Sequence, residues 1–417
     1  MSFMNKMLAS ACLSAMVLVV VPLFASDQIP GKPQSSPVAI VGATIHTVSG
    51  DTMVGSLVFE NGQITAVGPS VNIPAGTEII QAAGKHLFPS LIEAQSDIGL
   101  TEIDSISSSI DSSETGTFNP NVRSAVAFNP DSELIPVARA NGVLLAVSAP
   151  SGRLLAGRSS LMMLDGWTWE GMSLLEDVGM QLRWPGRESD IRELDEFLLQ
   201  AKRYGQRLPD PTSGRDLRLE AMAGVLSKKI PLIVTANSID EIHSSVAFAN
   251  KHQLRMIIHG GAQAPECAEL LLKYNIPVIV SGTYRTPQYR NSSYDESYTL
   301  PARLHACGLQ FCISAGNRFG ASMMRNLPYH AATAAAYGLN ETVALRSITL
   351  SPAEILGASE KVGSLEVGKD ATLFIADGDI LEVPTQVELA YIQGREVDLS
   401  SKHTQLFHKY SQKYGAE

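Results

Sequence analysis

Three polar side chains at the end of one apolar run are the first place to look for chemistry. They are Glu93, Gln95 and Asp97, in the stretch GKHLFPSLIEAQSDIGL that begins at Gly84. They alternate with Ala94, Ser96 and Ile98, so a strand puts all three on one face. Carboxylates at a strand end can ligate a divalent ion or accept a proton from water. Other apolar runs also end in polar residues, with Thr235 and Asn237 in PLIVTAN, His259 in MIIHGG, and Ser314 and Asn317 in FCISAGN. Asp97 and His259 are the candidate catalytic pair. Gln95, Thr235, Asn237, Ser314 and Asn317 are expected to line the same pocket. The long segment GTYRTPQYRNSSYDESYTL supplies a candidate lid in Tyr284, Arg285, Tyr289 and Arg290, groups suited to a planar or carboxylate-bearing ligand.

Positioning such residues requires a scaffold whose strand ends converge. Residues 38–86 read as short strands and tight turns, with Asn61-Gly62 as a hairpin signal because both tolerate positive φ. Residues 358–398 repeat that pattern. Between them, over 87–357, apolar strands alternate with amphipathic helices. Strands are expected at 231–236, 256–260, 278–282 and 309–314, and helices at 240–252, 265–274 and 298–306. Short strands buried on both faces and separated by helices predict a parallel sheet, and their repetition predicts a (β/α)8 barrel. The fold class is thus α/β, a TIM-like barrel inserted into a small β-sandwich domain made by the N- and C-terminal segments. Residues 399–417 read as a tail. Trp167 and Trp169 are expected to pack on the barrel's side. His243, His252, His305 and His330 fall in helix patterns, hence outside the barrel. Residues 185–214 read as a solvated, charged helix.

The stretch around LFPSLIEAQSD resembles the first barrel strand of the amidohydrolase superfamily of metal-dependent hydrolases, and GKDATLFIADGDIL resembles the family's terminal segment. The likeness runs from about residue 38 to 397 and is closest in character to exported, imidazolonepropionase-like amidohydrolases. It implies hydrolysis of amide, lactam or cyclic imide bonds by a metal-activated water, with zinc lowering the pKa of that water to about 7. At the positions where the family carries its ligands, this sequence has Gln95 and Asp97 for two histidines, Thr235 for a third, and Ser314-Ala315 for a threonine and aspartate. Only His259 keeps its expected type. Glu93 is expected to bond backbone amides or an arginine below the site.

Two functions follow. One is an exported amidohydrolase acting on carbon–nitrogen bonds. The other, favoured by the ligand substitutions, is a non-catalytic binding or partner subunit that keeps the fold. A third reading uses Asp97 as a base near His259 without metal. No cofactor is assigned; zinc or manganese is the ion the site would take if it still binds one. The partners expected are a small amide-type ligand and either a second copy or an active relative. The net charge of −10 argues against nucleic acid and an anionic membrane surface. An apolar run over residues 8–25 after Lys6 reads as an export signal ending at residue 25 or as an uncleaved anchor, followed by a linker at 26–37. The chain is placed in the periplasm or secreted. Cys267, Cys307 and Cys312 would remain, read as buried thiols although one disulfide is permitted.

Overall fold

The structure, a computed structural model, describes residues 28–206, 214–288, 290, 292–316 and 320–415. The segment read as an export signal, Tyr289 and Asn317 lie outside them. The chain opens with β1 (Val38–Ile45), β2 (Met53–Glu60), β3 (Gln63–Gly68), β4 (Glu78–Gln81) and β5 (His86–Pro89). Asn61 at φ 52° and Gly62 at φ 79° make the turn that joins β2 to β3. The barrel follows as β6 (Leu91–Ser96), β7 (Val143–Ser148), β8 (Leu155–Met163), β9 (Ser173–Arg183), β10 (Leu232–Ala236), β11 (Met256–Gly260), β12 (Val278–Ser281) and β13 (Phe311–Ser314). The return segment adds β14 (Leu373–Ala376), β15 (Val387–Ile392) and β16 (Arg395–Glu396). The principal helices are α1 (Glu188–Gly205), α2 (Ile239–His252), α3 (Glu296–Ala306), α4 (Leu327–Ala336), α5 (Leu350–Leu356) and α6 (Lys402–Tyr414).

The N- and C-terminal segments do form one domain. Its strands are hydrogen-bonded in the order β16-β15-β14-β5-β1-β2-β3, with β4 beside β1. The two layers belong to one curled sheet: Phe59 on β2 meets Tyr391 on β15 edge-on at 4.9 Å, although three strands separate them along the hydrogen-bonded order. Ile40, Leu57, Ile64 and Leu373 fill the space enclosed. Asp165, held within the barrel segment by a buried ion pair with Arg139 at 2.8 Å, fastens this domain to the barrel. Asp165 also accepts from the Gly31 amide, and its carbonyl accepts from Arg395.

The barrel departs from uniform parallel order at β8, which is antiparallel to both β7 and β9. The reason is chain length: residues 149–154 and 164–172 are shorter than the dozen or so needed for a parallel crossover, so only hairpins are possible there. Other expectations need correction. Trp167 is 72% exposed, whereas Trp169 is partly buried against the core. His330 is 2% exposed, because α4 turns it inward onto the loop after β12. The charged helix α1 buries Leu194, Phe197, Leu198 and Ala201 on one face. The C-terminal tail is largely helix α6.

Among the described residues no backbone ladder joins β6 to β13, the first and last barrel strands. Glu93 joins them instead. Its carboxylate accepts from the Ser314 hydroxyl, from the Ala315 amide at 2.8 Å and from the Gln95 amide at 3.1 Å. Ser314 also donates to the Gln95 carbonyl at 3.1 Å. Burial raises the Glu93 pKa to about 7 from 4.5, against the opposing pull of these hydrogen bonds. A folded pKa above the unfolded value means that the native state holds the proton more tightly. The stability this confers is complete below the unfolded pKa and is lost as pH rises through about 7. Parent protein should therefore lose up to about 3 kcal/mol relative to Glu93→Gln between mildly acidic and neutral pH. Urea midpoints of both chains across that range measure it; parallel pH profiles would contradict it.

Candidate functional site

At the C-terminal ends of the barrel strands lies a cavity of about 430 Å³. A larger one of about 530 Å³ opens at the opposite end, between Pro231, Met256, Pro277 and Gln310. Two of its charged side chains are engaged: Glu354 pairs with Arg346, and Arg255 donates to the Lys228 carbonyl. In a barrel that end carries stability, and chemistry sits at the other. The 430 Å³ cavity brings together Gln95, Asp97, Asn237, His259, Ser281 and Arg285.

Each is placed by a strand end. Gln95 leaves β6 and exchanges two hydrogen bonds with Gln181 on β9, at 3.2 and 3.0 Å. Asp97 follows β6 and accepts from the Ala321 amide at 2.9 Å. His259 stands near the end of β11, in register with Thr235 on β10. Thr235 Oγ1 lies 3.2 Å from its Nδ1 and Ser281 Oγ, at the end of β12, lies 2.8 Å from its Nε2. Burial lowers the His259 pKa to about 4, with Arg285 contributing, so the ring is neutral at pH 7. One ring nitrogen then donates and the other accepts.

The two residues before Arg285 are held by a buried histidine. His330 Nδ1 accepts from the Thr283 amide at 2.9 Å, and the Tyr284 ring lies 4.2 Å from the His330 ring. Burial holds the His330 pKa at about 4, which keeps Nδ1 available as an acceptor. Tyr284 is thereby committed to His330 and Thr333, a packing role at the root of the lid. Arg290 is exposed.

The expected set is thus largely assembled, with two corrections. Ser314 is wholly buried and belongs to the Glu93 clasp. Thr235 acts through His259 and is not a lining residue. Of the two partners expected for Glu93, backbone amides or an arginine, it bonds backbone amides. Sequence reasoning missed Gln181, whose partner Gln95 stands three strands round the barrel, and Ser281. The signal for Ser281 was its place at the end of an apolar run.

The donor set does not fit zinc or manganese. Gln95 is taken by Gln181, both nitrogens of His259 are taken by hydroxyls, and Glu93 faces the seam. Among the described residues no three His, Cys, Asp or Glu side chains converge. Cys267 and Cys312 are buried free thiols and Cys307 is half-buried.

Comparison with known proteins agrees with this architecture. Residues 295–405 match the amidohydrolase family. The chain is 20% identical to the amidohydrolase tasK of Hapsidospora irregularis over 82% of its own length, and spans 39% of that longer protein. The crystal structure of an amidohydrolase from Thermotoga maritima MSB8 is 26% identical, with a TM-score of 0.80 over 87% of this chain and 99% of that one. The solved molinate hydrolase shares the fold at 16% identity, with a TM-score of 0.54 over 89% of this chain and 96% of its own. With its strand-end cavity and its barrel set between two halves of a β domain, the chain belongs to the amidohydrolase superfamily of hydrolases.

Proposed function

We propose that the chain binds a small, carboxylate-bearing amide at the barrel mouth without a metal ion. The carrying observation is Arg285: it lines the cavity and has no carboxylate partner among the described residues. A cation that faces a cavity and is ion-paired to no carboxylate can receive an anionic group, and a guanidinium suits a carboxylate's two oxygens. Polar groups nearby fit the amide. Asn237 Oδ1 is buried and unpartnered, an acceptor for an N–H, and Asp97 lines the same cavity.

Removing Arg285 tests this. A hydrogen bond to a charged group contributes about 1.5–3 kcal/mol, so Arg285→Ala should weaken binding of N-acyl amino acids by roughly tenfold to a hundredfold. Calorimetric titration of parent and variant measures it. Equal affinity in both would remove Arg285 from the site.

A second reading is supported by the Ser281 to His259 distance of 2.8 Å, which is nucleophile-to-base geometry. In that reading the Ser281 oxygen adds to the substrate carbonyl carbon and its proton passes to His259 Nε2. The same proton goes to the leaving nitrogen as the C–N bond breaks, and water then hydrolyses the Ser281 ester. Thr235, a hydroxyl, orients the ring where a carboxylate would also stabilise the imidazolium, so turnover would be slow. A fluorophosphonate probe should label parent and not Ser281→Ala. Because the His259 pKa is lowered to about 4, labelling should persist in mild acid and fall only near that value. Equal labelling of Ser281→Ala, or none of the parent, excludes this chemistry.

A further inference from the structure

The average charge of the chain conceals a segregated basic helix. Helix α6, Lys402–Tyr414, has no buried residue. Its 13 residues, KHTQLFHKYSQKY, include Lys402, Lys409 and Lys413 and no acidic group, in a chain of net charge −10. At helical spacing Leu406, Tyr410 and Tyr414 fall in line, with Phe407 beside them, and the three lysines run along one flank. Phe407 is 69% and Tyr414 73% exposed. Lys409 and Lys413 lie over the rings of Tyr410 and Tyr414, at 5.8 and 4.9 Å, so the cations border the aromatic face directly. Only Thr404 and Ser411, seven residues apart and hence on one side of the helix, are half-buried against the body.

A second, independent observation places residue 28, just after the apolar run, at the start of this helix. Gln28 donates from Nε2 to the Ser400 carbonyl at 2.5 Å, immediately before the Ser401 cap of α6. The apolar run at residues 8–25 ends just ahead of Gln28. The chain therefore meets the body of the protein, coming from its most apolar segment, at the foot of its most basic helix. Arg325 adds a further cation there, donating to His403 Nδ1 at 3.3 Å.

We infer that α6 is a docking surface for an anionic phospholipid bilayer. The lysine flank meets the headgroups, and Leu406, Phe407, Tyr410 and Tyr414 enter the boundary with the acyl chains. A protein partner would need an acidic groove to match the lysines, and nothing ties such a groove to residue 28. A bilayer matches the basic flank, the aromatic face and the approach of the apolar segment together.

The test is sedimentation of the full chain with vesicles of phosphatidylcholine alone and of an equal mixture with phosphatidylglycerol. Comparing the two lipids cancels whatever the apolar segment contributes to both. Partition onto the anionic vesicles should be stronger by about a hundredfold, fall with added salt, and drop to the phosphatidylcholine level in Lys402→Gln/Lys409→Gln/Lys413→Gln. Phe407→Ser/Tyr414→Ser should weaken it on the anionic vesicles with the lysines intact. All five positions are exposed, so parent-like urea midpoints are expected of both variants. Partition that ignores lipid charge, or is unchanged in the lysine variant, overturns the proposal. So does a concentration-dependent dimer that the same lysine changes dissolve, which would assign the face to a second copy.

Discussion

A carboxylate buried where a barrel must close sets the terms for the rest of this protein. Glu93 is wholly buried, and desolvation of its charged form is resisted only by the donors it can gather. It gathers them from both sides of the seam: the Gln95 amide on its own strand, and the Ser314 hydroxyl and Ala315 amide across it. Net, such bonds are worth about 1.5–3 kcal/mol each when one partner is charged, comparable with the penalty they offset. The balance leaves the group poised near neutrality. It also pushes the neighbouring Cys312 thiol upward, mainly through burial and further through the Glu93 charge.

The mouth follows from that clasp. With Gln95 held in the seam through its backbone, its carboxamide turns to Gln181, and Asp97 is pinned by Ala321. On the next strands round, His259 is held between two hydroxyls. Gln95 and His259, which could have pointed lone pairs at a shared ion, are committed to neighbours, and the cavity keeps Asp97, Asn237 and Arg285 for a ligand. Hydrogen bonds have taken over the cross-strand work that coordination would do, while the cavity remains open to a ligand.

What the sequence disclosed follows the range of the interaction involved. The strand Met256–Gly260 is as expected, because burial on both faces leaves a continuous apolar run. Asn61-Gly62 declares its turn through backbone sterics alone. Asp97, Asn237 and His259 were legible as mouth residues because strand ends gather at one face. Less legible was anything fixed by a partner distant in sequence. His330 reads as a helix-surface residue until Thr283 is seen to need its nitrogen, and Ser314 reads as a mouth residue until Glu93 claims it. The antiparallel β8 depended on loop lengths within a segment of weak periodicity. The bulk of Trp167 suggests burial, whereas its position at a turn tip leaves it in water.

If the mouth residues bind ligand without a divalent ion, elemental analysis of the purified full chain, equilibrated with zinc or manganese and then dialysed, should find no stoichiometric metal. Affinity for N-acyl amino acids should likewise be unchanged after chelator treatment. A full equivalent of metal surviving dialysis, lost with Asp97→Ala or His259→Ala, would contradict metal-free binding.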